Sequence, residues 1–178
     1  MKRLKPIGMC KKRIMQTLTK EQWIEQIKDK LYLLNGPQLE TLNQAINSLQ
    51  IASNERFHNL GRIMGIEWNE QGEFQMHLGA FNANTYGVAQ GGALYTLADV
   101  AIGYMILEQL RESQKVFTLE MKMNFIKKGK GDKLTAKPKV LHWGRKTVVA
   151  QCEVYDEMRN LVAQSMGTFF VVDEATGG

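Results

Sequence analysis

The sequence predicts an α+β fold in which an antiparallel sheet wraps around one long central helix. The first observation is the stretch from Ala93 to Leu107, whose apolar residues recur at helical spacing and include a single charged residue, Asp99. The second is that the flanking segments alternate apolar and polar residues, with turn residues between them, as consecutive hairpins do. A helix that is apolar on most sides must be enclosed, and the hairpins supply the enclosing sheet.

Size and charge favour one domain with an extension and exclude several functional classes. The chain has 178 residues, a hydrophobic fraction of 44% and no apolar run long enough to span a bilayer, so we expect a soluble protein without a membrane partner. The net charge is +5, but residues 1–17 contribute +6 and the remainder sums to −1. Such a basic tail with a nearly neutral body does not predict nucleic-acid binding, and no apolar segment follows it as in a secretory signal.

The two cysteines indicate a reducing compartment. Cys10 lies in the basic tail and Cys152 in an alternating apolar pattern, a placement that suggests neither a disulfide framework nor a metal site. We therefore expect a cytoplasmic protein without a metal or other cofactor, in which Cys152 is core packing.

The first third of the chain predicts a helical extension. Thr19-x-x-Gln22 reads as a capping box that opens an amphipathic helix, Asn35-Gly36 should end that helix, and Pro37 can begin a second one. The expected product is a helical hairpin over 19–52 that must dock on the main domain or on a partner subunit. The predicted organisation is a basic tail (1–18), a helical extension (19–55), the main domain (56–173) and a C-terminal tail (174–178).

Six strands are expected around the central helix. Two precede it, over 57–68 and 72–79. Four follow it, over 115–127, 133–141, 146–156 and 160–172. In the first of these four, Phe117, Leu119, Met121, Met123 and Phe125 should share one face and Thr118 should lie on the other.

The central helix carries the chemistry. From Phe74 to Leu107 Asp99 is the only Asp, Glu, Lys or Arg, so its carboxylate must find donors elsewhere in the fold. Gly91 and Gly92 stand before the helix, where unpaired first-turn N–H groups bind oxyanions. A carboxylate and an oxyanion site are the parts needed to hydrolyse an acyl group. The residues alone favour the structural interpretation, in which the glycine pair is a tight entry into the helix and Asp99 is a satisfied polar residue at a packing interface.

A family resemblance favours the catalytic interpretation. The pattern Asn84-x-x-Gly87-x-x-Gln90-Gly91-Gly92, followed by Leu97-Ala98-Asp99-x-Ala101, resembles the signature of the hotdog-fold acyl-CoA thioesterases of the phenylacetate-pathway (PaaI) type. That signature normally reads N-x-x-G-x-x-H-G-G and then L-x-D-x-A. The departure is Gln90, where the family usually has His, and the resemblance covers roughly 56–173.

The resemblance implies a homodimer or homotetramer whose active sites lie between subunits. On that template one subunit would supply Asn84, Gln90 and the Gly91 N–H that binds the thioester oxygen. Asp99 of the other subunit would act as general base or as nucleophile, and Thr118 resembles the hydroxyl residue that orients the attacking water. Gln90 can donate a hydrogen bond but cannot shuttle a proton near neutral pH.

The implied substrate is an acyl-CoA, whose phosphate groups call for basic side chains. Arg145 is the first candidate, followed by Lys146 and the loop lysines Lys127, Lys128 and Lys130, and Gly92 would lie beside the substrate. A non-catalytic acyl-CoA-binding module is the alternative function, and a hydratase or dehydratase matches less well because Gln90 supplies no catalytic His.

Overall fold

The computed structural model describes residues 18–50, 59–69 and 73–173 and confirms the predicted α+β fold. Its strands form a six-stranded antiparallel sheet in the order β1-β2-β4-β5-β6-β3. The helices are α1 (Lys20–Leu31), α2 (Gly36–Gln50), α3 (Asn59–Ile63) and α4 (Gly91–Leu107), and the strands are β1 (Ile66–Trp68), β2 (Phe74–His77), β3 (Gln114–Phe125), β4 (Lys133–Trp143), β5 (Thr147–Asp156) and β6 (Leu161–Asp173).

The sheet encloses α4 and forms the core with it. Buried side chains of β2, β4, β5 and β6 join those of α4 in one hydrophobic cluster. Cys152 of β5 is fully buried in this cluster, as predicted, and burial raises the pKa of its thiol to about 12. The buried residues of α4 are Ala93, Leu94, Leu97, Ala98, Val100, Ala101, Ile102 and Ile106.

The predicted C-terminal end of the first helix is wrong. The capping box of Thr19 and Gln22 opens α1 as expected, but α1 already ends at Leu31. Asn35 does not end α1. Instead it begins α2, because Asn35 and Gln38 exchange two hydrogen bonds of 3.0 Å between their side chains and backbone N–H groups.

The described chain forms two compact units, the first ending at Leu39 and the second beginning at Glu40. In α1, which lies in the first unit, no residue is buried. The second unit starts within α2, where Ser48 is buried. What covers the apolar side of α1 therefore stays a prediction.

The prediction of a strand over 57–68 is wrong for the first part of that range that the structure describes. Residues Asn59–Ile63 form α3, and the strand β1 covers only Ile66–Trp68; residues 57 and 58 lie outside the described part. Gly65 separates the two elements, since its φ of +68° ends the helical geometry and turns the chain into the sheet. Beside it, His77 Nε2 of β2 lies 2.9 Å from Glu67 Oε1 of β1.

The predicted assignment of side chains to the two faces of β3 is wrong before Glu120, because the strand contains a β-bulge. The pairing of β3 with β6 shifts between Thr118 and Glu120, so Leu119 is an extra residue in the ladder. Phe117 and Leu119 are 55% and 59% exposed, although strict alternation would have buried them. The bulge reverses the alternation at this point in the strand.

The bulge turns Thr118 toward the helix. Val116 precedes it on the core-facing side of β3, and Met121 and Met123 continue that side after the extra residue. Because Thr118 lies in phase with these core residues, its hydroxyl reaches Asp99 of α4.

Within the described residues, no helix is both long and apolar enough to cross a membrane.

Gly167 should be intolerant of a side chain. A Cβ at Gly167 would lie 2.7 Å from the Glu120 carbonyl oxygen, beside the bulge, where the backbone cannot move without disturbing the ladder. We expect Gly167→Ala to lower the free energy of unfolding by about 1–3 kcal/mol in urea denaturation. Gly103→Ala is the matched control: no atom lies within 4 Å of its Cβ position, so the better helix propensity of Ala should raise stability by about 0.5–1 kcal/mol. Equal effects of the two changes would show that the space beside the bulge does not restrict position 167.

Candidate active site

A closed loop leads into the N-terminus of α4. Asn84 ties this loop together, because its Oδ1 accepts the N–H groups of Tyr86 at 2.9 Å and Val88 at 3.3 Å. Gly87 adopts a φ of +69° at the tip, a conformation that few other residues accept, and the Ala83–Ala89 bridge closes the base. Asn84 therefore holds the loop that precedes α4 in a closed conformation.

The Gly91 N–H points out of the helix N-terminus. Gln90 has an extended backbone (φ −69°, ψ 142°), and its carbonyl accepts the N–H groups of Ala93 at 3.0 Å and Leu94 at 3.1 Å. In a planar trans peptide the C=O and the next N–H point in opposite directions. Since the Gln90 carbonyl points into the helix, the Gly91 N–H points away from it, at the positive end of the helix dipole.

Asp99 and Thr118 form a pair on the side of α4 that β3 approaches. The Thr118 hydroxyl donates to Asp99 Oδ1 at 2.9 Å. This is the donor that the sequence required for Asp99, and it comes from a strand that the bulge has rotated. Asp99 is half-buried and Thr118 is exposed, so the carboxylate stays accessible.

A cleft of about 660 Å³ opens beside the helix N-terminus. Asn84 and Gly91 line it together with Phe125, and Lys127 and Lys128 also line it. The walls are mostly apolar, a character that suits a long organic substrate with a charged end. Phe125 lies close to Gly91, since a Cβ on Gly91 would be 3.2 Å from the Phe125 ring. This close approach favours a glycine at position 91.

The candidate residues fall into two groups in the single chain. Asn84 and Gly91 line the cleft, whereas Gln90, Asp99 and Thr118 are not among its lining residues. Gln90 is the N-cap of α4, but its exposed side chain makes no capping hydrogen bond. Eight residues of helix separate Gly91 from Asp99, which is about 12 Å along the axis.

The basic candidates are also divided. Arg145 and Lys146 are exposed in the turn between β4 and β5 and do not line the cleft. The loop lysines Lys127 and Lys128 do line it, although the sequence ranks them below Arg145. Gly92 is exposed in the first turn of α4, where no atom lies within 4 Å of its Cβ position.

Sequence reasoning misses two residues that shape the site. Strict alternation places Phe125 on the core face of its strand, but it is 57% exposed and lies over Gly91. No sequence pattern singles out Asn82, although it is buried and its carbonyl accepts the Gln90 N–H at 2.8 Å. A polar residue two positions before Asn84 gives no local signal of these distant contacts. Among the residues described, no group of three or more His, Cys, Asp or Glu side chains is placed to hold a metal ion.

Comparison with known proteins identifies the family that this domain resembles. Residues 86–163 match the family model of the thioesterase superfamily, a segment that includes Gly91, Asp99 and Thr118. The solved structure of the BH2602 protein of Bacillus halodurans with CoA superposes with a TM-score of 0.75 at 27% identity, over 84% of this chain and 99% of that chain. The fold is therefore the hotdog fold.

Two curated relatives match part of the chain. An inferred esterase of Saccharolobus solfataricus is 32% identical over 90 residues, which are 49% of this chain and 58% of the relative. The medium/long-chain acyl-CoA thioesterase YigI of Escherichia coli is 24% identical over 97 residues, 47% of this chain and 63% of the relative. The chain thus spans less than two thirds of the length of either relative. The names of the family model and of both relatives refer to the hydrolysis of ester or thioester bonds.

Proposed function

We propose that this chain, which carries a hotdog-fold domain matching the thioesterase superfamily, is an acyl-CoA thioesterase of the PaaI type. It would hydrolyse an acyl- or aryl-CoA to a carboxylate and free CoA. The CoA-bound Bacillus halodurans structure and the activity named for YigI support this substrate class. The free, buried Cys152 fits a reducing, cytoplasmic setting.

The observation that carries the proposal is the contact between Asp99 and Thr118. A hydroxyl that donates to a half-buried carboxylate orients it, and the carboxylate keeps a second oxygen for an incoming water or carbonyl. The Gly91 N–H supplies the complementary donor for a developing oxyanion. About 12 Å of helix lies between the two, which is too far for both to act on one carbonyl group of a bound thioester.

Two copies of the chain would bring the two groups together. β3 is an edge strand that pairs with β6 on one side only. In an antiparallel pairing of β3 with its own copy, the N-terminal half of one strand, which contains Thr118, lies beside the C-terminal half of the other, which ends at Phe125. Since Phe125 covers Gly91, such a dimer would place Asp99 of one subunit near the Gly91 N–H of its partner. Exposed apolar side chains along β3, Phe117, Leu119 and Phe125, favour this pairing. A homodimer is the minimum unit, and a homotetramer would be a pair of such dimers.

The reaction follows from these positions. As general base, Asp99 would take a proton from water while the water oxygen attacks the thioester carbon, and the Gly91 N–H would stabilise the negative oxygen. Collapse of the intermediate would break the C–S bond, and the proton would pass to the departing thiolate. As nucleophile, Asp99 would attack the carbon itself, the C–S bond would break and CoA would leave as the thiolate, which takes up a proton from water. The resulting anhydride between Asp99 and the acyl group would then be hydrolysed by water, which releases the carboxylate product and restores Asp99. Both routes use the same two subunits.

Gln90 has no acid–base task in this scheme. The chemistry depends on a carboxylate and a backbone N–H, both of which are retained. The exposed Gln90 side chain can donate a hydrogen bond to the substrate from the helix N-terminus. We therefore propose that activity is kept without the usual His.

The loop after β3 would hold the CoA phosphates. Lys127 and Lys128 line the cleft that Gly91 also lines, and all three loop lysines, Lys130 included, line an adjoining surface depression. Arg145 would reach the same region from the partner subunit. Its β4–β5 turn lies near Phe117, because Thr147 after the turn pairs with Phe170, and Phe170 pairs with Phe117. Lysine side chains at such a rim supply point charges for phosphate.

Removal of the carboxylate should abolish turnover. We expect the protein to release thiol from at least one member of a panel of short, long and aromatic acyl-CoA thioesters, and Asp99→Ala to lower kcat by about a hundredfold or more. Thr118→Val, which deletes the donor to Asp99, should lower kcat about tenfold, whereas Thr118→Ser should retain activity. All variants are first compared with the parent by circular dichroism. Binding of acyl-CoA without any thiol release would favour the non-catalytic binding module instead.

Mixed dimers should test whether the site is shared. Gly91→Pro deletes the N–H at a helix position that accepts proline, and the extended Gln90 backbone suits the residue before a proline. Gly91→Pro and Asp99→Ala alone should each retain about a hundredth of the parent activity or less. An equal mixture refolded together should recover about a quarter of the parent activity, because about half of the dimers are mixed and each mixed dimer has one intact site. Gly91→Ala, which keeps the N–H, controls for the added carbon beside Phe125. A mixture as inactive as its components would contradict a shared site.

The loop lysines should affect CoA recognition specifically. We expect Lys128→Ala to raise KM for acyl-CoA about 2–5-fold, the value of a partly exposed ionic contact, and to leave KM for the corresponding acyl-pantetheine unchanged. Arg145→Ala is assayed beside it, and the exposed Lys139 of β4 provides the control variant Lys139→Ala. An equal change of KM for both substrates would show that Lys128 acts through the loop fold and not through phosphate.

A further inference from the structure

Asn82 is a buried polar residue that the proposed mechanism does not use. Its side chain is 1% exposed. Oδ1 accepts the Gly79 N–H at 2.8 Å, and Nδ2 donates to the carbonyls of Met64 at 2.8 Å and His77 at 2.7 Å. These three bonds fasten Asn82 to the turn after α3, to the end of β2 and to the start of the loop that precedes α4.

The backbone of Asn82 reaches the helix N-terminus. Its carbonyl accepts the Gln90 N–H at 2.8 Å, while the Gln90 carbonyl accepts the N–H groups of Ala93 and Leu94. Gln90 is thus held on both sides. Because the peptide between Gln90 and Gly91 is planar, fixing Gln90 also fixes the direction of the Gly91 N–H.

We propose that Asn82 is a positioning residue that aims the Gly91 N–H at the thioester oxygen. This inference rests on the proposed oxyanion role of Gly91. The buried side-chain amide of Asn82 fixes the position of its own backbone carbonyl. That carbonyl holds Gln90 through the Gln90 N–H, and the position of Gln90 sets the direction of the Gly91 N–H. A donor aimed in advance stabilises the developing charge without reorganising during the reaction.

The amide side chain is suited to this task. Its oxygen accepts the Gly79 N–H, and its NH₂ group donates to the carbonyls of Met64 and His77. The acceptor and both donor hydrogens of the amide are therefore used. Asp would present only acceptors to the Met64 and His77 carbonyls when ionised, and Ser has a single donor. Either replacement leaves at least one of these carbonyls without its partner and frees the loop to shift.

A double-mutant cycle separates positioning from general stability. We expect Asn82→Ser to lower kcat about tenfold with KM within about twofold of the parent. In the Gly91→Pro background, where the N–H is absent, the same change should lower kcat by less than about twofold, because the two residues act through one donor. An equal loss in both backgrounds, or no loss in the parent, would overturn the proposal. Ser165→Ala, at a buried polar position of β6, should lower Tm without changing kcat.

A second measurement does not depend on activity. Amide hydrogen exchange at Gln90 should become at least about tenfold faster in Asn82→Ser, while amides of β6 stay protected. Unchanged exchange would overturn the proposal even if the variant were slow. If Asn82→Ser does not fold, Asn82→Asp, which has the same size and keeps the Gly79 acceptor, enters both experiments. Absence of hydrolysis by the parent would remove the proposed function, whereas the exchange result would still decide whether Asn82 holds Gln90.

Discussion

Burial of α4 is the constraint on which the rest of the structure depends. Each large aliphatic side chain of this helix contributes about 1.5–3 kcal/mol when it is removed from water, so the sheet must curl until those side chains are covered. The first two residues of the helix and the stripe that contains Asp99 are not buried, and neither are Tyr95, Tyr104, Met105 and Leu107. Asp99 lies on one of these uncovered parts, whereas a carboxylate at a buried position of α4 would be without partners. The residues of the stripe are Gly92, Thr96, Asp99 and Gly103, none of which is buried.

The bulge in β3 then decides what the carboxylate meets. In a regular strand Thr118 would point away from the core, and the bulky Phe117 would stand opposite the helix. One extra residue, Leu119, reverses this order and places a hydroxyl 2.9 Å from Asp99. Bulges commonly re-aim side chains near active sites, and they disrupt the ladder locally when they do so. Gly167 across the ladder accommodates this one, since a Cβ there would meet the Glu120 carbonyl.

The features that the sequence predicted are those encoded locally. The helical spacing of α4, the capping box at Thr19 and the glycine pair at its fixed distance from Asp99 each lie within one short segment, and the structure contains all three. The strand predicted over α3, and Thr118 placed on the outer face, failed because Gly65 and the bulge act through backbone geometry that periodicity does not reveal. Asn82 escaped notice for a related reason. Its three side-chain partners are backbone groups as far as 18 positions away, and backbone groups leave no mark in a sequence.

The rigidity of α4 links catalysis to association. A helix cannot bend enough to bring its first turn and its third turn onto one carbonyl group, so an isolated chain would carry an acid and an oxyanion donor that never act together. An exposed β3 edge with apolar side chains is also a liability, because such edges invite uncontrolled pairing. In the proposed dimer both problems have one solution. The contact that covers the edge also brings each Asp99 to the partner's helix N-terminus, and two-fold symmetry makes two equivalent sites from one interface.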